Sequence, residues 1–141
     1  MSVQLPGHFL SASRSDDEEK ATHPSIVLSK DQNGINLGCF AVRGGDKWAY
    51  TVLERAWQQR QFTNHPWWEQ AAVAFVLYGS NLMPRVNEHV DVVPQRTLNS
   101  YPHNWLPGDW MVHFAGTRNT AALGKLFVAF QRKCLLVSEA V

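Results

Sequence analysis

Two short apolar segments lie between residues 25 and 42 of the chain. Residues 25–29 (SIVLS) and 35–42 (INLGCFAV) are rich in β-branched and apolar side chains, and the polar sequence Asp31-Gln32-Asn33-Gly34 separates them. Such segments, bounded by Asp, Asn and Gly, are typical of β-strands. The pattern therefore predicts two strands, joined either by a hairpin or by a longer excursion.

Two segments with helical spacing follow. Asp46 is a residue type that caps helix starts, and Pro66 is favoured in the first turn of a helix. The pattern predicts one helix from about Asp46 to Gln61 and a second from Asn64 or His65 to about Gly79. Their recurring apolar positions are Trp48, Val52, Leu53, Ala56 and Trp57 in the first, and Trp67, Trp68, Ala71, Ala72, Phe75 and Val76 in the second.

The C-terminal half predicts four further elements. These are a strand at 90–93 that Pro94 ends, a short strand or turn at 98–101, a strand at 110–114, and a helix from Asn119 or Thr120 to Ser138. His113 would stand at the end of the third of these, opposite the face of Trp110. The last helix has an apolar stripe made of Leu123, Leu126, Phe127, Phe130 and Cys134.

Alternating strands and helices predict an α/β fold with a mixed sheet flanked by helices. Residues 1–23 show no hydrophobic period and contain the acidic run Asp16 to Glu19, so they are predicted to form a flexible, solvated lead-in to a globular part at 24–141. A length of 141 residues gives one domain or part of one.

Charge and composition narrow the function classes. The chain has 13 basic and 12 acidic residues and no basic run longer than two residues, so no nucleic-acid partner is expected. No segment approaches the ~20 apolar residues that span a bilayer, so no membrane span is expected. Cys39 and Cys134 cannot form a disulfide framework; buried free thiols are favoured, and one bridge between them stays open. Phosphate-binding glycine loops and the HExxH and GxSxG motifs are missing from the sequence.

His113 is the histidine whose position suggests chemistry. It precedes Ala115-Gly116 at a predicted strand end, where α/β sheets line ligand crevices. It is either a hydrogen-bonded structural histidine or a metal ligand. A metal would need further ligands, available only if folding brings Glu88, Asp91 or Asp109 close.

Glu69 and Gln70 follow two adjacent tryptophans at the start of the second predicted helix. A carboxylate there is favoured by the helix dipole whatever its function. Alternatively, the pair faces a polar substrate, with Trp67 or Trp68 as a stacking wall for a sugar ring. Gly38 inside a strand indicates a bulge or a close backbone approach, and Asn36 lies on the same strand face.

Several blocks of the chain, read in order, resemble glycosyltransferase family 34. That family includes fungal galactosyl- and mannosyltransferases of cell-wall mannans and plant xyloglucan xylosyltransferases. The resemblance covers about residues 25–118, and its most specific parts are the last two blocks. The blocks are DQNGINLGCF at 31–40, Val42-Arg43, WWEQ at 67–70, VPQRTLNSY at 93–101 and WLPGDWMVHFAG at 105–116.

The resemblance implies the C-terminal part of a GT-A (nucleotide-diphospho-sugar transferase) fold. It implies a retaining, metal-dependent transfer of a hexose or pentose from a nucleotide sugar to a glycan, and residence in the Golgi. Mn²⁺ would offset the charge of the departing diphosphate. By this resemblance, His113 would bind the metal, and the nucleotide-sugar donor would be bound by Arg118, Asn36, Gly38 and Gly116. Glu69 would stabilise the oxocarbenium-like centre or bind sugar hydroxyls, and Gln70 would orient donor or acceptor. The substrate would be bound by Trp67, Trp68 and Asp109.

The chain departs from the family in two places. Thr117 stands where the family often has Cys, and no hydrophobic strand ending in Asp-x-Asp precedes Ser25. Two hypotheses follow. Either the chain is the C-terminal portion of a transferase that acts with a complementing N-terminal half or a family partner subunit, or it is a non-catalytic remnant that binds the acceptor.

Overall fold

The structure is a computed structural model, and it describes residues 23–138. The predicted lead-in therefore lies almost entirely outside the described residues. The strands are β1 (Ile26–Asp31), β2 (Gly34–Val42) and β3 (Val90–Pro94). The helices are α1 (Lys47–Trp57), α2 (Trp68–Ala74), α3 (Val86–His89), α4 (Gln95–Leu98) and α5 (Thr120–Ser138), with a 3₁₀ turn at Arg60–Phe62 and a π-helical turn at Phe75–Gly79.

The three strands form one mixed sheet in the order β2-β1-β3. β1 runs antiparallel to β2 and parallel to β3. Helices pack against this sheet around a shared apolar core that includes Leu28, Val52 and Val76. The predicted α/β architecture, a mixed sheet flanked by helices, is confirmed and is consistent with part of a GT-A fold.

β1 and β2 form a hairpin, which resolves the first sequence alternative. The Asp31 carboxylate accepts a 2.6 Å hydrogen bond from the Asn33 backbone N–H inside the turn, and Gly34 has φ +118°. Asx-type turns and a glycine in this region are suited to such a reversal.

A bulge interrupts the hairpin at the position of Gly38. Leu28 pairs with Phe40, but the next residue, Ser29, pairs with Asn36. The three residues Leu37 to Cys39 therefore have no partner on β1 and bend out of the ladder. The bulge predicted from Gly38 is confirmed. Cys39 is a free thiol and only half-buried, and the side chain of Cys134 lies outside the described part of the chain.

The first two predicted helices are confirmed, with different bounds and inner faces. α1 buries the small side chains Ala49, Val52 and Ala56, while Trp57 is 89% exposed, so its assignment to the apolar face is wrong. Small residues allow α1 to lie close to α2. The second helix begins at Trp68 and widens into a π-helical turn at Phe75–Gly79.

The predicted strand at 110–114 is wrong. Its only sheet contact among the described residues is a single parallel bridge between Ser100 and Val112, continued by a 2.7 Å bond from the His113 N–H to the Ser100 carbonyl. The reason is that the chain after Pro94 turns into the short helix α4, so no extended neighbour remains for pairing. The segment 98–101, predicted as a short strand or turn, contains the end of α4 at Leu98 and the bridge at Ser100.

The C-terminal helix is confirmed. Asn119 Oδ1 caps it by accepting a 3.0 Å bond from the Ala122 N–H. Phe130 is buried and meets Trp105 and Phe114 edge-on. Phe127, however, is 60% exposed, so the buried face of α5 is narrower than the predicted apolar stripe. In the described range, no helix combines the length and the apolar character needed to cross a membrane.

Asp46 makes a testable contribution to stability. Its carboxylate accepts bonds from the Ala49 N–H at 2.9 Å and from the Ser25 hydroxyl at 2.8 Å, and these bonds, the backbone one first, lower the pKa of Asp46. A lowered folded-state pKa stabilises the fold above the ordinary pKa of Asp, and this stabilisation is lost as pH falls. Asp46→Asn, which keeps a capping oxygen, should cost about 0.5–1 kcal/mol at pH 7.

Urea unfolding at several pH values checks this. The difference between the wild type and Asp46→Asn should shrink from pH 7 to pH 3, because the wild-type carboxyl becomes neutral. The control is Glu54→Gln, an exposed position in the same helix. A difference that stays constant across this range would contradict the assignment.

Candidate functional site at the strand bulge

The bulge of β2 brings together side chains that are distant in sequence. A Cβ atom added to Gly38 would overlap the imidazole of His113 and would reach 3.0 Å from Asn99 Nδ2. The backbone N–H of Leu37 donates a 3.2 Å bond to Gln70 Oε1. Gly38 is therefore both a bulge residue and a point of close approach, and His113, Asn99 and Gln70 meet around it.

Asn36 holds the bulge in place. Its Nδ2 donates to Asp31 Oδ2 and to the Tyr101 hydroxyl, both at 2.8 Å. Its Oδ1 accepts from the Gly38 N–H at 2.8 Å and from Asn99 Nδ2. An asparagine side chain offers two donor hydrogens and two lone pairs, so its capacity is filled within the chain. Asn36, which the family resemblance assigned to the donor, shapes the site here through its neighbours.

Asp31 and Tyr101 complete this network. The Tyr101 hydroxyl donates to Asp31 Oδ2 while it accepts from Asn36. Burial, and then the bond to Asp31, raise the pKa of Tyr101 to about 12. The hydroxyl therefore stays protonated at neutral pH and keeps donating to the carboxylate.

His113 stands beside this network with one ring nitrogen unused. Its Nδ1 is buried and has no hydrogen-bond partner among the described residues. Burial lowers the pKa of His113, and the charge of Asp31 opposes part of this effect. The ring is therefore neutral at pH 7, which is the form that binds metal ions. The Tyr101 ring lies 6.0 Å from it, centroid to centroid.

The residues before Gln70 face outward. Trp67 is 39% exposed and Trp68 is 60% exposed, and Glu69 is exposed in the first turn of α2. Trp68 has φ +35°, a region that bulky residues rarely adopt and that costs about 1–3 kcal/mol. The aromatic ring of Trp68 is exposed to solvent next to Glu69.

Asp109 fixes the loop that precedes His113. Its carboxylate pairs with Arg96 at 2.7 Å and accepts bonds from the Ser100 hydroxyl at 2.7 Å and the Leu106 N–H at 2.9 Å. These donors, Arg96 first, hold the pKa of Asp109 well below its ordinary range. Ser100 also carries the backbone bond to His113, so this clamp supports the position of the histidine.

Gly116 and Arg118, two residues predicted to bind the nucleotide-sugar donor, lie in the loop that follows His113. Gly116 has φ +69°, and Arg118 is exposed. Between residues 23 and 138, no three His, Cys, Asp or Glu side chains gather as a metal-binding group. Glu88 pairs with Arg85 instead.

Three residues of the site were not singled out from the sequence: Asp31, Asn99 and Tyr101. Asn99 is fully buried, and its Oδ1 has no partner within the described chain. All three belong to the motif blocks at 31–40 and 93–101, and that membership is the signal that could have found them. Only their meeting around Asn36 shows what they do.

The chain is similar to known galactosyltransferases. The model of the galactosyl transferase GMA12/MNN10 family matches residues 8–123. Two curated relatives come from Schizosaccharomyces pombe. An uncharacterised alpha-1,2-galactosyltransferase is 31% identical over 98 residues, which is 64% of this chain and 25% of the relative. An alpha-1,2-galactosyltransferase is 30% identical over 108 residues, which is 72% of this chain and 27% of the relative. No solved structure matches the chain significantly.

Gly38→Ala tests the close approach at the bulge. The new methyl group would overlap the His113 ring, so the ring or the strand must shift, and overpacking of this kind costs about 1–3 kcal/mol. Gly44→Ala is the matched control, because nothing lies within 4 Å of a Cβ there. Chemical denaturation measures both. Equal effects of the two substitutions would show that His113 does not pack on Gly38.

Proposed function

This chain belongs to the galactosyl transferase GMA12/MNN10 family, and we propose that it forms the part of a glycosyltransferase where donor sugar and glycan acceptor meet. The chain spans about a quarter of the length of the two curated relatives. The reaction proposed for the whole enzyme is transfer of a hexose or pentose from a nucleotide sugar to a glycan, with retention of configuration. The observation that carries the proposal is the convergence of His113 and Gln70 on the backbone of the Gly38 bulge.

Glu69 and Gln70 are the groups proposed to face the reacting sugar. Gln70 is fixed through its Oε1 by the bulge, which leaves its Nε2 as a donor for a sugar or phosphate oxygen. Glu69 is exposed beside it and carries a carboxylate that can stabilise positive charge at an oxocarbenium-like centre or bind sugar hydroxyls. The exposed ring of Trp68 supplies a flat apolar face for the sugar, with Trp67 beside it.

His113 is the proposed metal ligand, and Mn²⁺ bound in the complete site would offset negative charge on the departing diphosphate. The neutral ring and the buried, unpartnered Nδ1 suit this role. Residues 23–138 offer no group of three ligands, however, so they do not complete a Mn²⁺ site by themselves. The remaining ligands are proposed to lie elsewhere in this chain, outside residues 23–138. Arg118 and Gly116 are proposed to reach the diphosphate, and Golgi residence stays a prediction.

A second candidate function is acceptor binding without catalysis. The described residues contain no group of three potential metal ligands and expose Trp67 and Trp68, which favours a surface that holds a glycan over one that cleaves a nucleotide sugar. The two candidates differ in whether the chain binds a nucleoside diphosphate.

Calorimetric titration with Mn²⁺ and either uridine or guanosine diphosphate separates them. The transferase proposal expects micromolar binding by the whole chain and a loss of at least about 10-fold in His113→Ala, because a metal ligand is removed. His23→Ala, which replaces an exposed histidine, should bind as the wild type does. Wild-type chain that binds neither nucleotide would contradict the transferase proposal and favour the second candidate.

Trp68→Ala tests the sugar-facing wall in both candidates. Loss of a stacking face worth about 0.5–1.5 kcal/mol should weaken binding of α-mannooligosaccharides roughly 2- to 12-fold. Trp57→Ala removes an even more exposed ring on α1 and should leave binding unchanged. The unfolding midpoint should remain near that of the wild type in both variants. Equal binding by both variants would exclude Trp68 from the glycan surface.

A further inference from the structure

Tyr101 contacts the hairpin and lies beside His113. Its hydroxyl joins Asp31, at the end of β1, to Asn36 on β2. Its ring lies 6.0 Å from the His113 ring and 5.8 Å from the His103 ring. One half-buried side chain therefore connects the hairpin to the loop that carries the candidate metal ligand.

Asn36 transmits the effect of Tyr101 to the bulge. Asn36 is 4% exposed, so a donor that loses its partner there cannot turn to bulk water. Its Oδ1 orients the Gly38 N–H and Asn99 Nδ2, and Gly38 in turn limits where the His113 ring can lie. Removal of the Tyr101 hydroxyl would leave one Asn36 hydrogen unpaired and remove one of the four hydrogen bonds that orient the amide.

We propose that Tyr101 is a positioning residue for this site: through Asn36 it fixes the Gly38 backbone and the His113 ring in the arrangement that receives the donor diphosphate. The proposal rests on the proposed function for the identity of that ligand. It assigns Tyr101 no contact with substrate. Asn36, which has no free hydrogen-bonding capacity, acts in the same way and not as a ligand-binding group.

Tyr101→Phe in the whole chain is the direct test, because it removes the hydroxyl and keeps the ring. Tyr50→Phe is the matched control, since Tyr50 is 66% exposed on α1. The first readout is NMR. Exchange of the Gly38 amide proton should become about 10-fold faster or more, and the His113 ring nitrogen shifts should change, while core amides of α1 stay within about twofold of the wild type.

The second readout is affinity for uridine or guanosine diphosphate with Mn²⁺. Tyr101→Phe should weaken binding about 10-fold at a temperature where the variant remains fully folded, and Tyr50→Phe should not. Unchanged Gly38 exchange and His113 shifts would overturn the proposal. So would a general rise in exchange with unchanged affinity, because that is the signature of a merely stabilising residue.

The two readouts also separate this inference from the proposed function. If the wild type binds neither nucleotide but Tyr101→Phe still alters Gly38 and His113, the nucleotide-binding function fails and the positioning of the bulge by Tyr101 is supported. If the wild type binds and Tyr101→Phe binds equally well, the inference fails and the proposed function stands.

Discussion

The filled hydrogen-bonding capacity of Asn36 is the constraint on which the site depends. A buried amide without partners is costly, so its two donors and two lone pairs must each meet a group of the chain. The partners come from the end of β1, from the β2 bulge and from residues 99–101. One side chain thus fixes the hairpin, the bulge and the segment that bonds to His113, and the geometry of the site follows from satisfying it.

The site also contains two irregularities of the backbone, a bulge in β2 and a positive φ at the start of α2. β2 interrupts its ladder at Leu37 to Cys39, and only a residue without a side chain fits at position 38 against His113. Trp68 starts α2 at a positive φ, where a bulky residue is strained. Elsewhere the elements are regular, as at the small inner face of α1 and the capped start of α5.

The polar residues of the site divide into two groups. Asn36 and Asp109 have their hydrogen bonds filled by the chain and position other groups. Glu69, Gln70, His113 and Trp68 keep a charge, a donor, a ring nitrogen or an aromatic face that the described residues leave available. The second group contains the residues to which the proposed function gives chemical roles, and the chain belongs to the galactosyl transferase GMA12/MNN10 family.

The sequence by itself determined the strands at β1, β2 and β3, the helices α1, α2 and α5, and the family, because these depend on local periodicity, capping residues and motif order. It also predicted the bulge from Gly38, since a glycine inside a strand commonly marks a bulge or a close approach of another group. The strand predicted at 110–114 from alternating residues does not form. A strand needs an extended neighbour, and the chain that could supply one forms the helix α4 instead. Tertiary structure alone decided that Asp31, Asn99 and Tyr101 meet around Asn36, and that Trp57 faces solvent. Hydrogen bonds between residues 63 to 70 positions apart leave no local pattern in a sequence, so only the folded chain shows them.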